Sequence, residues 1–155
     1  MNFVEIQTIY LSQGQPTEAQ IQLWVDTALT DYPDDTEIVI RIVDEKESTE
    51  LNETYRLKSG PTNILSFPVE IPEEIELNLL GDLVICAPVL EKEALEQNKA
   101  LLNHWAHIVI HGVLHLMGYD HIEDDEAELM EGKEITLLSH LGIKNPYLQE
   151  KTHER

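Results

Sequence analysis

Three histidines at fixed spacing are the residues of this sequence best suited to chemistry. His111 and His115 stand four positions apart, which places both imidazoles on one face of a helix, and His121 follows Gly118. Glycine permits a sharp turn, which can bring His121 beneath the pair. Three imidazoles can hold one divalent cation and leave a position open for water, as in catalytic zinc sites. The spacing therefore predicts one zinc ion per chain, although imidazole also suits nickel, copper and iron.

The position after the first histidine separates this motif from that of zinc peptidases. The metzincin signature H-E-x-x-H-x-x-G-x-x-H has a general-base glutamate there, and this chain has Gly112. Asp120 can serve as a base, but a turn-forming role or a role in orienting a ligand is the preferred interpretation. His107 shares the face of His111 and is expected to line the pocket or orient a ligand. His104 is interpreted as a hydrogen-bonded core residue.

Composition limits the class of protein and its partners. The chain has 155 residues, with 30 acidic against 10 basic side chains and a formal charge of -20. This length fits one domain, residues 1–155, and the charge argues against non-specific binding to polyanions. The single cysteine, Cys86, allows no internal disulfide and suits a reducing cytosol. No apolar run reaches the ~20 residues of a membrane-spanning helix.

The elements that must position the histidines follow from apolar periodicity and turn residues. The predicted strands are Phe3–Leu11, Glu37–Asp44, Asn63–Phe67 and Leu80–Cys86, and the predicted helices are 18–31, 46–56, 89–117 (broken near Asn98) and 124–140. This order predicts an α+β fold in which a mixed four-stranded sheet packs with about five helices, one of them a metzincin-like zinc-binding helix. The acidic stretch Glu70–Glu76 is expected to be a solvated loop or the arm of a hairpin. Residues 146–155 are expected to form a loose tail.

Acidic residues are dense from 123 to 131, at the start of the last predicted helix. Negative charge is favourable at a helix N-terminus, so a solvated first turn explains them better than a metal cluster does. His140 and His153 are interpreted as surface residues.

Three blocks of the sequence resemble one known family. The stretch from His111-Gly112 to Asp120-His121 is similar to the signature H-G-x-L-H-L-x-G-Y-D-H of the YbeY-type rRNA maturation endoribonucleases. Residues 51–68, with the Tyr55-Arg56 pair and the run PTNILSFP, and residues 81–85, GDLVI, also resemble that family. The resemblance spans roughly residues 35 to 145.

The resemblance implies a cytoplasmic, single-strand-specific, metal-dependent endoribonuclease acting in 16S rRNA 3′-end maturation and ribosome quality control. It implies zinc on His111, His115 and His121, and catalytic roles for His111 and for Arg56 in the cleft. A guanidinium can hold two phosphate oxygens with its planar fork. Lys58 is a possible RNA contact or a solvated lysine. The implied partners are rRNA and the small ribosomal subunit, with no membrane and no DNA.

Two other functions stay open on the sequence alone. A zinc peptidase is favoured by the ligand spacing and disfavoured by Gly112. A non-catalytic ribosome-assembly factor with a structural metal is favoured by the lack of an obvious general base and by the acidic composition.

Overall fold

The architecture is α+β, with a sheet between helices. The computed structural model describes residues 2–32, 35–69, 79–120 and 123–147. Within these ranges the elements in chain order are β1 (Asn2–Thr8), α1 (Glu18–Ala28), β2 (Thr36–Val43), α2 (Glu45–Tyr55), β3 (Ile64–Pro68), β4 (Leu79–Cys86), α3 (Ala87–Glu96), α4 (Leu101–Leu116) and α5 (Asp124–His140). The predicted fold class, a mixed four-stranded sheet with five helices, is confirmed.

The sheet has the strand order β1-β2-β4-β3. β2 pairs in parallel with β1 and with β4, whereas β3 pairs antiparallel to β4. The isoleucines of β2 at positions 38, 40 and 42 are buried on one face, and Val43 joins a smaller cluster with residues of β3 and β4 on the other. Both faces of this central strand are therefore partly apolar, as its sequence predicts.

The helix that carries the histidine pair, α4, lies in the larger core. Eleven of its sixteen residues are buried, and it packs against α1, α3, α5 and the strands β3 and β4. Because neighbouring elements enclose it on several sides, its backbone is held in a fixed position. Beyond its exposed first turn, the part of α4 that stays partly open is the face with His111 and His115.

The boundaries differ from the predicted ones by up to three residues. α1 ends at Ala28 instead of residue 31, and β1 ends at Thr8 instead of Leu11. The predicted break near Asn98 is confirmed, because Asn98 has a positive φ of 56° between α3 and α4. Pro68 pairs with Gly81 at the end of β3, where a proline is tolerated because β3 is an edge strand. The Glu70–Glu76 stretch lies outside the described residues.

The structure describes only the first two residues of the predicted C-terminal tail, 146 and 147. Tyr147, the second residue of the predicted tail, contacts α4 and α5 through hydrogen bonds to His107 and Glu134. Residues 148–155 lie outside the described part of the chain. In the part that is described, none of the helices has both the length and the apolar character needed to cross a bilayer.

Candidate active site

An open cleft brings residues from three separate elements together. It has a volume of about 540 Å³ and is called here the Arg56 cleft. It is lined by the end of α2, by β3 and by the end of α4 with the turn that follows: Tyr55, Arg56, Leu65, Ser66, Phe67, Pro68, His115, Gly118, Tyr119 and Asp120. The structure therefore places Arg56, His115 and Asp120, three residues singled out in the sequence, around one space.

The C-terminal end of α2 positions Arg56. The Arg56 N–H donates to the Asn52 carbonyl at 3.0 Å, and the next residue, Leu57, turns the chain with a φ of 57°. The buried Asn52 side chain donates to the Gly60 carbonyl at 2.9 Å and so closes the loop that follows. Residues other than glycine, and bulky ones above all, rarely adopt positive φ, so this turn is held by its hydrogen bonds.

The predicted helical pair is present on α4. The imidazole rings of His111 and His115 have centroids 4.6 Å apart and planes at 83° to each other. Both side chains are partly exposed, whereas the positions on either side of each are mostly buried. Two imidazoles at this separation can share one metal ion.

The turn after α4 fixes His115. The N–H of Gly118 donates to the His115 carbonyl and the N–H of Tyr119 donates to the Leu114 carbonyl, both at 3.0 Å, which is the Schellman arrangement. Gly118 has a φ of 104°, a conformation that favours glycine. The turn places the Tyr119 carbonyl oxygen 3.0 Å from Nδ1 of His115. Because a carbonyl only accepts, this bond requires the proton of neutral His115 on Nδ1 and directs metal coordination to Nε2.

A fully buried carboxylate stands behind His111. Glu134 of α5 accepts from Nδ1 of His111 and from Nε2 of His107, each at 2.7 Å. Burial raises the pKa of Glu134, but these two hydrogen bonds and the nearby histidines outweigh burial and lower the pKa to about 2. His107, His111 and Glu134 offer ligand atoms within 4.8 Å of one another, so this cluster could hold a metal ion.

Sequence reasoning missed Glu134, which lies in a helix rich in exposed acids. The usable signal is its spacing: Met130, Glu134, Leu137 and Leu138 share the buried face of α5. A glutamate is almost never fully buried unless it is paired, so an acid on an apolar stripe indicates a buried partner. The exposed acids at the start of α5 fit the solvated helix end that the sequence predicts.

The other histidines divide between core and surface. His107 contacts Glu134, in agreement with a role in orienting a ligand. His104 is buried, and its Nε2 lies 2.9 Å from Glu93, as expected of a hydrogen-bonded core residue. His140 is exposed at the end of α5. His153 lies outside the described residues.

The remaining predicted site residues are His121, Lys58 and Asp120. His121, the third predicted ligand, lies outside the described residues. Lys58 is exposed and is not one of the described residues that line the Arg56 cleft. Asp120 is partly buried in the wall of that cleft, two residues beyond Gly118.

Gly112 faces the sheet and not the cleft. A Cβ atom at this position would lie 2.5 Å from Cδ1 of Ile64 and 2.9 Å from Cδ2 of Leu83. A glutamate side chain does not fit in this tightly packed contact. The general base of the zinc peptidases therefore cannot occupy its usual position on this helix, which counts against the peptidase alternative.

Comparison with known proteins gives a family match over most of the chain. The family model described as Endoribonuclease YbeY matches residues 6–142. A curated relative, Endoribonuclease YbeY of Colwellia psychrerythraea (strain 34H / ATCC BAA-681), is 56% identical over 151 residues, covering 95% of this chain and 97% of the relative.

The fold also has a solved counterpart. The solution structure of TM1509 from Thermotoga maritima aligns with a TM-score of 0.62 at 24% identity, covering 99% of this chain and 93% of the other. At this identity the likeness concerns the fold alone. The family-model match and the 56% identical relative show that this chain belongs to the YbeY family of endoribonucleases.

Proposed function

We propose that this protein is a zinc-dependent endoribonuclease that cleaves single-stranded rRNA in 16S rRNA 3′-end maturation and acts in ribosome quality control. The observation that carries the proposal is that Arg56, His115 and Asp120 line one open cleft. A planar guanidinium beside a potential metal ligand is suited to a phosphodiester, which carries negative charge and gains more during cleavage.

The metal would be held by His111 and His115 of α4 together with His121. The donor chemistry fits, because Nδ1 of His115 faces a carbonyl oxygen and Nδ1 of His111 faces a carboxylate. Both bonds leave Nε2 as the coordinating nitrogen, and a hydrogen-bonded opposite nitrogen is usual for metal-bound imidazole. When bound, the ion would supply Lewis acidity to a phosphoryl oxygen.

Arg56 acts on the substrate. Its side chain is exposed at the cleft, so it can bind two phosphate oxygens at once and stabilise the charge that develops on them. Asp120, in the same wall of the cleft as His115, would orient a metal ligand. Lys58, on the loop after α2, can contact the RNA backbone. An open cleft of about 540 Å³ suits unpaired nucleotides, which RNA-binding proteins recognise by contact with exposed bases and phosphates.

The acidic composition directs substrate choice. With a formal charge of -20, the surface as a whole repels RNA, so attraction must be local to the cleft and to the metal. This argues against non-specific binding to RNA or DNA, and the small ribosomal subunit is the proposed partner. The proposed compartment is the cytoplasm.

A single-turnover assay tests the proposal. Metal-loaded protein in excess over a labelled 16S rRNA precursor should cleave near the 3′ end, and a matched His115→Ala protein, purified in parallel, should not. Equal cleavage by both proteins would indicate a contaminating nuclease. Stoichiometric metal with no cleavage, together with normal binding to the small subunit, would instead support a non-catalytic assembly factor.

A further inference from the structure

The one fully buried acid among the described residues lies beside the histidine pair. Glu134 is 0% exposed and sits on the apolar face of α5. Removing a carboxylate from water is costly unless hydrogen bonds replace the water. Glu134 is therefore expected to have hydrogen-bond donors around it, and the structure places three there.

Three side chains donate to Glu134. His111 approaches one carboxylate oxygen, Oε2, at 2.7 Å through Nδ1. The other oxygen, Oε1, is 2.7 Å from Nε2 of His107 and 2.5 Å from the hydroxyl of Tyr147. These bonds join α4, α5 and the C-terminal segment at one buried point.

We propose that Glu134 is a positioning residue, held by Tyr147, that fixes the ring orientation and the tautomer of His111 so that Nε2 faces the metal. This inference rests on the proposed function, because it assumes that His111 is a ligand. A carboxylate accepts hydrogen bonds only, so it requires a proton on Nδ1 of His111. It thereby leaves Nε2 to coordinate, as the Tyr119 carbonyl does for His115.

The distances favour positioning over direct coordination by Glu134. Donor atoms bound to one tetrahedral zinc at about 2.0–2.2 Å from the ion lie roughly 3.3 to 3.6 Å apart. The carboxylate oxygens of Glu134 are only 2.7 Å from the nitrogens of His107 and His111, which is hydrogen-bond distance. The cluster is therefore a hydrogen-bond network beside the metal site.

The hydroxyl of Tyr147 is a further hydrogen-bond donor to Glu134 that a mutation can remove. It bonds to Oε1 of Glu134, and the Tyr147 ring packs edge-on against His107 with centroids 5.5 Å apart. A phenylalanine at this position keeps the ring packing and removes only the hydroxyl. Tyr147→Phe is thus the mild variant, and Glu134→Gln the strong one.

The test compares Glu134→Gln, Glu134→Asp and Tyr147→Phe with wild type and with Glu131→Gln, an exposed acid on the same helix. The first measurement is the zinc dissociation constant by chelator competition, at a temperature where circular dichroism shows each protein folded. Glu134→Gln should bind zinc about 10- to 100-fold more weakly, as is typical when a group that orients a ligand is removed. Glu134→Asp should recover part of the loss, Tyr147→Phe should lose several-fold, and the control should not change.

The second measurement reports the tautomer directly. Proton–nitrogen correlation spectra of the metal-free proteins should show His111 protonated at Nδ1 in wild type. In Glu134→Gln a share of the Nε2-protonated form should appear, because the amide can offer a donor to the ring. A merely structural glutamate would lower the melting temperature without moving either measurement in the folded protein.

Both the affinity and the tautomer must change, and the proposal is wrong if either stays at its wild-type value in folded Glu134→Gln. Neither measurement involves RNA. A protein that binds zinc as described but fails to cleave rRNA would therefore overturn the proposed function and leave this inference standing.

Discussion

Arg56 and His115 line the same cleft, although they come from the ends of two helices that belong to different layers of the fold. α2 contacts the sheet and α3, whereas α4 lies in the larger core with α1 and α5. The edge strand β3, which packs against α4 and contributes Leu65 to Pro68 to the cleft, lies between them. The sheet edge therefore sets the distance between the phosphate-binding group and the candidate metal ligands.

Replacing Arg56 should separate phosphate binding from metal binding. Arg56→Ala should abolish single-turnover cleavage of the precursor rRNA while zinc content stays at one per chain. Arg56→Lys should recover little, because a lysine keeps the charge and loses the planar fork. The loss is expected to be on the order of 100- to 1000-fold, the typical effect of removing one group that stabilises developing charge.

Lys46→Ala is the matched control for this prediction, because Lys46 is an exposed cation near the other end of α2. It should leave cleavage within twofold of wild type. Arg56→Ala protein that processes the RNA at the wild-type rate would exclude the proposed role in phosphate binding.

Replacing a histidine of the α4 pair should remove the metal. His111→Ala and His115→Ala should each fail to retain stoichiometric zinc after dialysis, because the proposed three-histidine site would lose one of its ligands. The zinc content is measured by atomic emission spectroscopy. His140→Ala, an exposed histidine on α5, is the control and should keep its zinc.

Retention of one zinc per chain by His115→Ala would show that the ion is held elsewhere. The cluster of His107, His111 and Glu134 would then be the alternative site, and His107→Ala would distinguish it.

Local features of this protein could be read from the sequence, and long-range ones could not. The position of His111 and His115 on one helix face depends only on helical periodicity. The anchoring of Tyr147 depends on a contact between chain segments far apart, which no local pattern encodes. Glu134 was only partly predictable, because its spacing indicates a buried helix face but most acids of the same helix are exposed.

The loop after α2 should be needed to position Arg56 but not to bind the metal. Asn52→Ala removes the bond from Nδ2 to the Gly60 carbonyl and leaves that carbonyl without this donor. The free energy of unfolding should fall by about 1–3 kcal/mol. The cleavage rate should fall by up to about 100-fold, because a small misplacement of a substrate-binding group slows the reaction strongly. Urea unfolding, zinc content and single-turnover cleavage check the three expectations.

Glu50→Ala, an exposed position on the same helix, is the comparison for Asn52. If Asn52→Ala cleaves RNA at the wild-type rate despite lower stability, the loop does not control the position of Arg56.

The close contact at Gly112 predicts opposite effects for two glycine-to-alanine changes. Gly112→Ala places a methyl group 2.5 Å from Cδ1 of Ile64, so it should destabilise the fold by about 1–3 kcal/mol. Gly132→Ala on α5 meets nothing within 4 Å and should stabilise the fold by up to about 1 kcal/mol, because alanine is the better helix former. Denaturant unfolding of both variants measures the difference. A Gly112→Ala protein as stable as wild type would show that α4 can move away from the sheet.

The buried Glu134 should account for part of the stability that the protein loses in acid. Its pKa is lowered from 4.5 to about 2 in the folded protein, so ionised Glu134 stabilises the fold fully above pH 4.5, and the contribution is lost as the pH falls towards 2. At 1.36 kcal/mol per pKa unit, the contribution is about 3 kcal/mol. Glutamine does not titrate, so the stability difference between metal-free wild type and Glu134→Gln should shrink over this range. Urea unfolding at intervals from pH 6 to pH 2.5 measures it. Glu131→Gln, an exposed acid of the same helix, should run parallel to wild type, and a Glu134→Gln curve that also runs parallel would show that the buried carboxylate does not titrate with a lowered pKa.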